Sequence, residues 1–295
     1  MTPDISQQQQ INNDDIILDR INAMRLQEDD TSSSIQIKNY FTAEVNEACR
    51  KAMVDWCFTV VDAFDLSRES VAISMSLLDR YLSSNNGESC DVLASKQQFQ
   101  LAAITCFYIA VKIYEPVQLG IAMLLKLCRG YYKQNDIVSM EQDILAALDY
   151  RVYISTTTPM EYVRHYLDLL SEWDDVKDII LENAMCHSDN ATLDIYFSTC
   201  KVSSVGIACL AGALEDESIV LTELEKQVIW SQLSRKLGYD IASNEIRTVE
   251  KRLLSKMSDD CCEPRRISQA SLPRTSMNVT SEQSSSPVSV MQMAR

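Results

Sequence analysis

The sequence predicts an all-α protein of two tandem five-helix bundles, and three observations lead there. Gly and Pro number only six each in 295 residues, too few for the turns of an all-β chain. Apolar residues recur at helical spacing, and no alternation of period two persists. Ten helical stretches fall into two groups of five, parted by DYRVYISTTTP at residues 149 to 159.

In chain order the expected helices run near 45 to 64, 68 to 84, 95 to 114, 120 to 130 and 136 to 148, then 159 to 172, 175 to 190, 199 to 215, 222 to 237 and 243 to 257. Several ends carry their own chemistry. Ser95 followed three positions later by Gln98 reads as a capping box, in which the two side chains satisfy free backbone donors. The helix it opens must stop before Pro116. Thr158, Pro159 and Glu161 combine a capping box with proline at the first helical position, and Thr222 with Glu225 repeats the box in a helix closed by Gly238. The third helix of each group is the most apolar, QLAAITCFYIAV in one and CKVSSVGIACLAGAL in the other. A helix apolar all round belongs at the centre of its bundle.

Residues 1–40 are rich in Gln, Asn, Asp and Ser and lack sustained periodicity, and residues 259–295 are rich in Ser, Pro, Met and Arg. Both read as mostly disordered, flanking folded units at 41–155 and 156–258.

Charge narrows the function. Against 27 basic side chains stand 42 acidic ones, a net charge of −15, and that field repels nucleic acid and anionic membrane. No run of 18 apolar residues occurs, and the N-terminus lacks the basic and apolar regions of a signal peptide, so an intracellular, soluble protein is expected. The ten cysteines are scattered through apolar runs and read as reduced core thiols. Two histidines and no CxxC leave no zinc set, and no metal or other cofactor is expected.

One enzyme signature competes. DDVKD at 174–178 matches the aspartate-rich motif with which helical isoprenoid synthases hold magnesium and diphosphate, and NDIVSMEQD at 135–143 is loosely like their second motif. Their order is reversed, and acids in a first helical turn are accounted for by the helix dipole. With no nucleotide loop, hydrolase elbow or triad histidine, no catalytic residue is assigned, and function is expected in surfaces.

Two charged residues interrupt apolar helices. Lys112 sits in FYIAVKIYEP, where residue type alone suggests a side chain reaching for water. Glu141 sits in IVSMEQDILAALDY, where a first-turn acid is the plain reading.

RKAMVDW (50–56), LLDRYLS (77–83), FQLAAITCFYIAVK (99–112) and MEQDILAALDYRV (140–152) occur in the order and spacing of the cyclin box. The chain resembles the cyclin family over residues 40 to 155, and 159 to 258 resemble its second fold. The resemblance implies a regulatory subunit that binds and activates a cyclin-dependent kinase catalytic subunit, with no chemistry of its own and a nuclear and cytoplasmic distribution. It assigns Lys112 and Glu141 to a polar pair at the kinase interface, with Ile109, Ile113, Leu145, Tyr150 and Val152 as apolar partners. Periodicity alone leaves each of these five between core and interface. Arg50 and Asp79 correspond to a structural ion pair tying the first helix to the second.

By the same resemblance Cys49, Ala52, Met53, Trp56, Thr59, Phe99 and Gln100 line a surface that docks short motifs of kinase substrates or inhibitors. Cys49 replaces the usual methionine and Thr59 the usual glutamate, which removes the acid that meets a basic docking residue. Ser268 in RRIS and Ser286 before Pro287 read as phosphorylation sites. The competing non-enzymatic reading is a cyclin-fold transcription factor or scaffold.

Overall fold

The structure, a computed structural model, describes residues 5–32, 41–84, 91–116 and 119–259. Its helices are α1 (Ile5–Ser32), α2 (Glu47–Phe64), α3 (Glu69–Ser83), α4 (Lys96–Tyr114), α5 (Ile121–Leu127), α6 (Gln134–Ala147), α7 (Pro159–Asp168), α8 (Asp174–Leu193), α9 (Val202–Leu214), α10 (Glu223–Leu237) and α11 (Asn244–Asp259). No strand occurs among the described residues. The protein is all-α, as its sequence predicts.

Several helix ends follow from their capping residues. Thr158 accepts a bond from the Glu161 N–H at 3.1 Å, with Pro159 opening α7. The reciprocal box of Thr222 and Glu225 closes with bonds of 3.3 and 2.7 Å, and Gly238 ends α10 at φ 69°. Ser95 caps α4 by accepting from Gln97, one residue short of the expected partner Gln98.

Two apolar cores form. Helices α2 to α6 enclose the first around α4, whose residues from Phe99 to Phe107 are all buried. The second surrounds α9, buried without interruption from Ser203 to Leu214. Gly206 and Gly212 allow this close approach, since a Cβ on Gly212 would lie 2.5 Å from the His187 ring.

The N-terminal segment differs from expectation. Residues 5–32 form α1, and its Ile17, Ile21 and Met24 are buried in the second core. These three apolar residues, spaced one per turn, make too narrow a stripe to stand out in a polar sequence. Continuing the stripe, the buried Glu28 carboxylate accepts the Ser203 N–H at 2.9 Å, the Ser203 hydroxyl, and the Tyr162 hydroxyl at 3.3 Å. It thereby satisfies a free donor at the start of α9. Lys236 pairs with Asp14 at 2.7 Å, and Arg25 lies 4.0 Å from the Tyr239 ring centroid. The remainder of 1–40, the expected tail beyond Asp259, and both Ser268 and Ser286 lie outside the described residues.

Charges also join the two bundles. Arg50 and Asp79, each 1% exposed, pair at 2.9 Å, and Arg50 donates in addition to the Thr192 carbonyl at the end of α8 at 2.8 Å. Arg68 holds Asp189 at 2.6 Å, and the buried Glu69 accepts from Thr158 at 2.6 Å and Arg164 at 3.1 Å. A cavity of about 120 Å³ remains at this seam, bordered by Glu28, Arg50, Asp79 and Arg80.

Candidate functional site

Helix α4 carries its lysine in the last turn, where a cation favours the helix dipole. Packing of α4 against α6 brings Lys112 Nζ to 2.6 Å from Glu141 Oε1, so residues 29 positions apart form one ion pair. Lys112 is 44% exposed and Glu141 17%. The ammonium also lies 4.9 Å from the ring centroid of Tyr108, one turn earlier on α4, in the range of a cation–π contact. Thus the lysine has a carboxylate and an aromatic face as neighbours, beyond the water expected of a lone snorkelling side chain. Glu141 is no first-turn acid, because α6 begins at Gln134.

The five expected apolar neighbours separate by burial. Ile113 and Tyr150 are exposed at 40% and 69%, whereas Leu145 and Val152 are half-buried. Ile109 is buried in the first core. Tyr153, at 54%, adds an exposed ring that the sequence reading missed. Its only sequence signal is its place beside Val152.

The backbone explains why Tyr150 projects. Asp149 and Tyr150 adopt φ of 50° and 59°, left-handed conformations unfavourable for residues with a Cβ. The Tyr150 N–H bonds back to the Leu145 carbonyl at 2.8 Å, reversing the chain at the end of α6. A bulky residue held in such a conformation marks a constrained site.

Six of the seven expected docking positions are buried, and Thr59 alone is exposed. Trp56 meets Phe107 edge to face at 5.8 Å, and Gln100 accepts from the Tyr132 hydroxyl at 2.6 Å. These side chains form the inner face between α2 and α4, which has the same apolar spacing as a surface patch.

Titratable groups elsewhere are structural. Burial lowers the pKa of both His165 and His187 and raises that of the Cys128 thiol to about 12, so these thiol and imidazole groups stay neutral near pH 7. Asp174 and Asp175 occupy the first turn of α8, whereas NDIVSMEQD lies on α6 of the other bundle. Among the described residues no group of His, Cys, Asp and Glu is spaced to hold a metal ion, and no helix is long and apolar enough to cross a membrane.

The first of the two helical bundles thus carries a partly exposed ion pair, and Ile113, Tyr150 and Tyr153 of the same bundle are exposed. Residues 19–153 match the cyclin N-terminal domain. Cyclin-B2-1 of Arabidopsis thaliana is 29% identical over 117 residues, which cover 39% of this chain and 25% of that protein. G1/S-specific cyclin-D1 of Rattus norvegicus is 23% identical over 201 residues, covering 68% and 65%. The crystal structure of a viral cyclin from herpesvirus saimiri shares the fold, with a TM-score of 0.59 at 19% identity over 73% of this chain and 89% of that one. The chain thus spans a quarter of the plant relative's length and just under two thirds of the rat relative's.

Proposed function

We propose that this protein is a cyclin, the regulatory subunit of a cyclin-dependent protein kinase acting in cell-cycle control, and that it performs no catalysis itself. The observation that carries the reading is the Lys112–Glu141 pair, 2.6 Å apart and partly open to solvent, on a bundle that also exposes Ile113 and Tyr150. Relatives named G1/S-specific and G2/mitotic-specific cyclins support the cell-cycle setting. A nuclear and cytoplasmic distribution accompanies the same reading.

In the mechanism, the first bundle clamps the kinase's regulatory helix, whose glutamate must pair with the lysine that positions ATP. Ile113, Leu145, Tyr150 and Tyr153 supply apolar contact. The charged pair fixes orientation and register more than it adds affinity, because its desolvation offsets much of its attraction. Binding only the active arrangement shifts the kinase population toward it.

The test combines the purified protein with cyclin-dependent kinase catalytic subunits and measures complex formation and histone phosphorylation. Binding with a gain in kinase activity is expected. Capture of transcription machinery from extracts, with no kinase subunit bound or activated, overturns the reading.

A further inference from the structure

Exposed large apolar side chains also gather on the second bundle, where the proposed kinase interface has no use for them. Ile179 on α8 is 41% exposed, and Val220, Leu224 and Val228 at and before the start of α10 are 94%, 73% and 44% exposed. Two bonds bring each helix alongside the segment that leads into the other. Asn183 of α8 donates to Ser218, ahead of α10, at 2.8 Å, and Gln232 of α10 donates to Glu172, ahead of α8, at 2.9 Å. Ile179 lies one turn before Asn183, and Leu224 and Val228 lie two turns and one turn before Gln232. Residues four apart share a helix face, so these side chains border one strip between the tied helices.

The rim of that strip is acidic. Asp175, Asp178, Glu182 and Glu217 are all exposed, whereas the nearby cation Lys226 is engaged by Glu215 and Glu223. An occupant therefore needs aliphatic side chains interleaved with positive charge. The chain itself contains such a segment. PRRISQASLPRT, residues 264–275, carries three arginines, Ile267 and Leu272 and no acid, within a protein of net charge −15.

We propose that residues 264–275 dock on the acidic-edged apolar strip of α8 and α10, and that phosphorylation of Ser268 releases them. Helix α11 ends at Asp259. The chain from there to Leu272 reaches up to about 45 Å when extended, against a length of about 30 Å for α8. Tethering makes the encounter intramolecular, so weak contacts suffice. A phosphate on Ser268 introduces about two negative charges between Arg266 and the acids it faces, replacing attraction with repulsion.

The full chain is digested with dilute trypsin, following cleavage after Arg274, and compared with L224D/V228D and with protein carrying phosphoserine at position 268. Circular dichroism establishes that each variant keeps its helicity, which is expected because both altered positions are exposed. Docking predicts cleavage at least about fivefold faster in both altered proteins, independent of protein concentration. Equal rates in all three overturn the proposal. Protection that grows with protein concentration also overturns it, in favour of a second copy as occupant. As a separate check, E182K/E217K should accelerate cleavage in the same way, and an unchanged rate there removes the charge complementarity on which docking depends.

Discussion

Glu28 accepts hydrogen bonds from both the backbone N–H and the hydroxyl of Ser203, 175 positions away in the chain. This buried carboxylate anchors α1 to the first turn of α9, the helix at the centre of the second bundle. Glu28→Ala leaves the Ser203 N–H and the Tyr162 hydroxyl without their acceptor. A loss of about 1 to 3 kcal/mol is expected, read as a lower urea midpoint with an unchanged slope.

Arg50 joins the two bundles: it pairs with Asp79 on α3 and donates to the Thr192 and Leu193 carbonyls of α8 and to the Ser198 hydroxyl. Arg50→Ala takes the guanidinium away from the buried Asp79 carboxylate, at a cost of about 3 to 5 kcal/mol, although the Ser198 hydroxyl still donates to it. Asp79→Ala should cost a similar amount, and the double variant should lose much less than the two single losses added together. Additive losses in chemical denaturation would contradict the pairing.

The second bundle should weaken in mild acid. Burial holds both histidines below the ordinary value of 6.5, with Arg20 adding to the effect at His165, while Asp168 opposes it there and Asp216 opposes it at His187. As pH falls through 6.5, the unfolded chain takes up protons that the folded chain refuses, so stability is full above that value and declines below it. Unfolding at pH 7.5 and 5.5 should show this drop, and replacing both histidines with Gln should flatten it. Asp216 titrates in a different window. Bonds from Ser218 hold its pKa below the ordinary 3.8, so the stability it contributes is lost only in stronger acid.

Tyr150 should show a trade between stability and binding. Its left-handed backbone suits glycine, so Tyr150→Gly is expected to raise stability by up to about 1 kcal/mol. The same change removes a ring that is 69% exposed and that the proposed interface uses, so kinase affinity should fall. Thermal melts and titration calorimetry read the two effects separately.

What the sequence disclosed depended on the range of the interaction. Thr158, Pro159, Thr222 and Gly238 act within a few residues, so the ends of α7 and α10 were legible from local chemistry. The continuous apolar character of the segments that became α4 and α9 announced the centres of both bundles. Helix α1 was hidden because Ile17, Ile21 and Met24 supply a single apolar residue per turn. Ile109, Trp56 and Phe99 have the periodicity of an interface and the burial of a core, a distinction made only by packing. The meeting of Lys112 with Glu141 came from the family resemblance, since nothing local links residues 29 apart. The bonds of Arg50 and Glu28 to the second bundle are long-range and left no local trace.

On the proposed reading, Lys112 and Glu141 grip a kinase subunit. The most direct measurement is the affinity for that subunit of the double variant Lys112→Glu with Glu141→Lys, taken with its helicity and melting temperature. The swap keeps the attraction within the pair while reversing both charges presented to a partner, so folding should persist and kinase binding and activation should be lost. Wild-type affinity and activation in a correctly folded double variant would contradict the account.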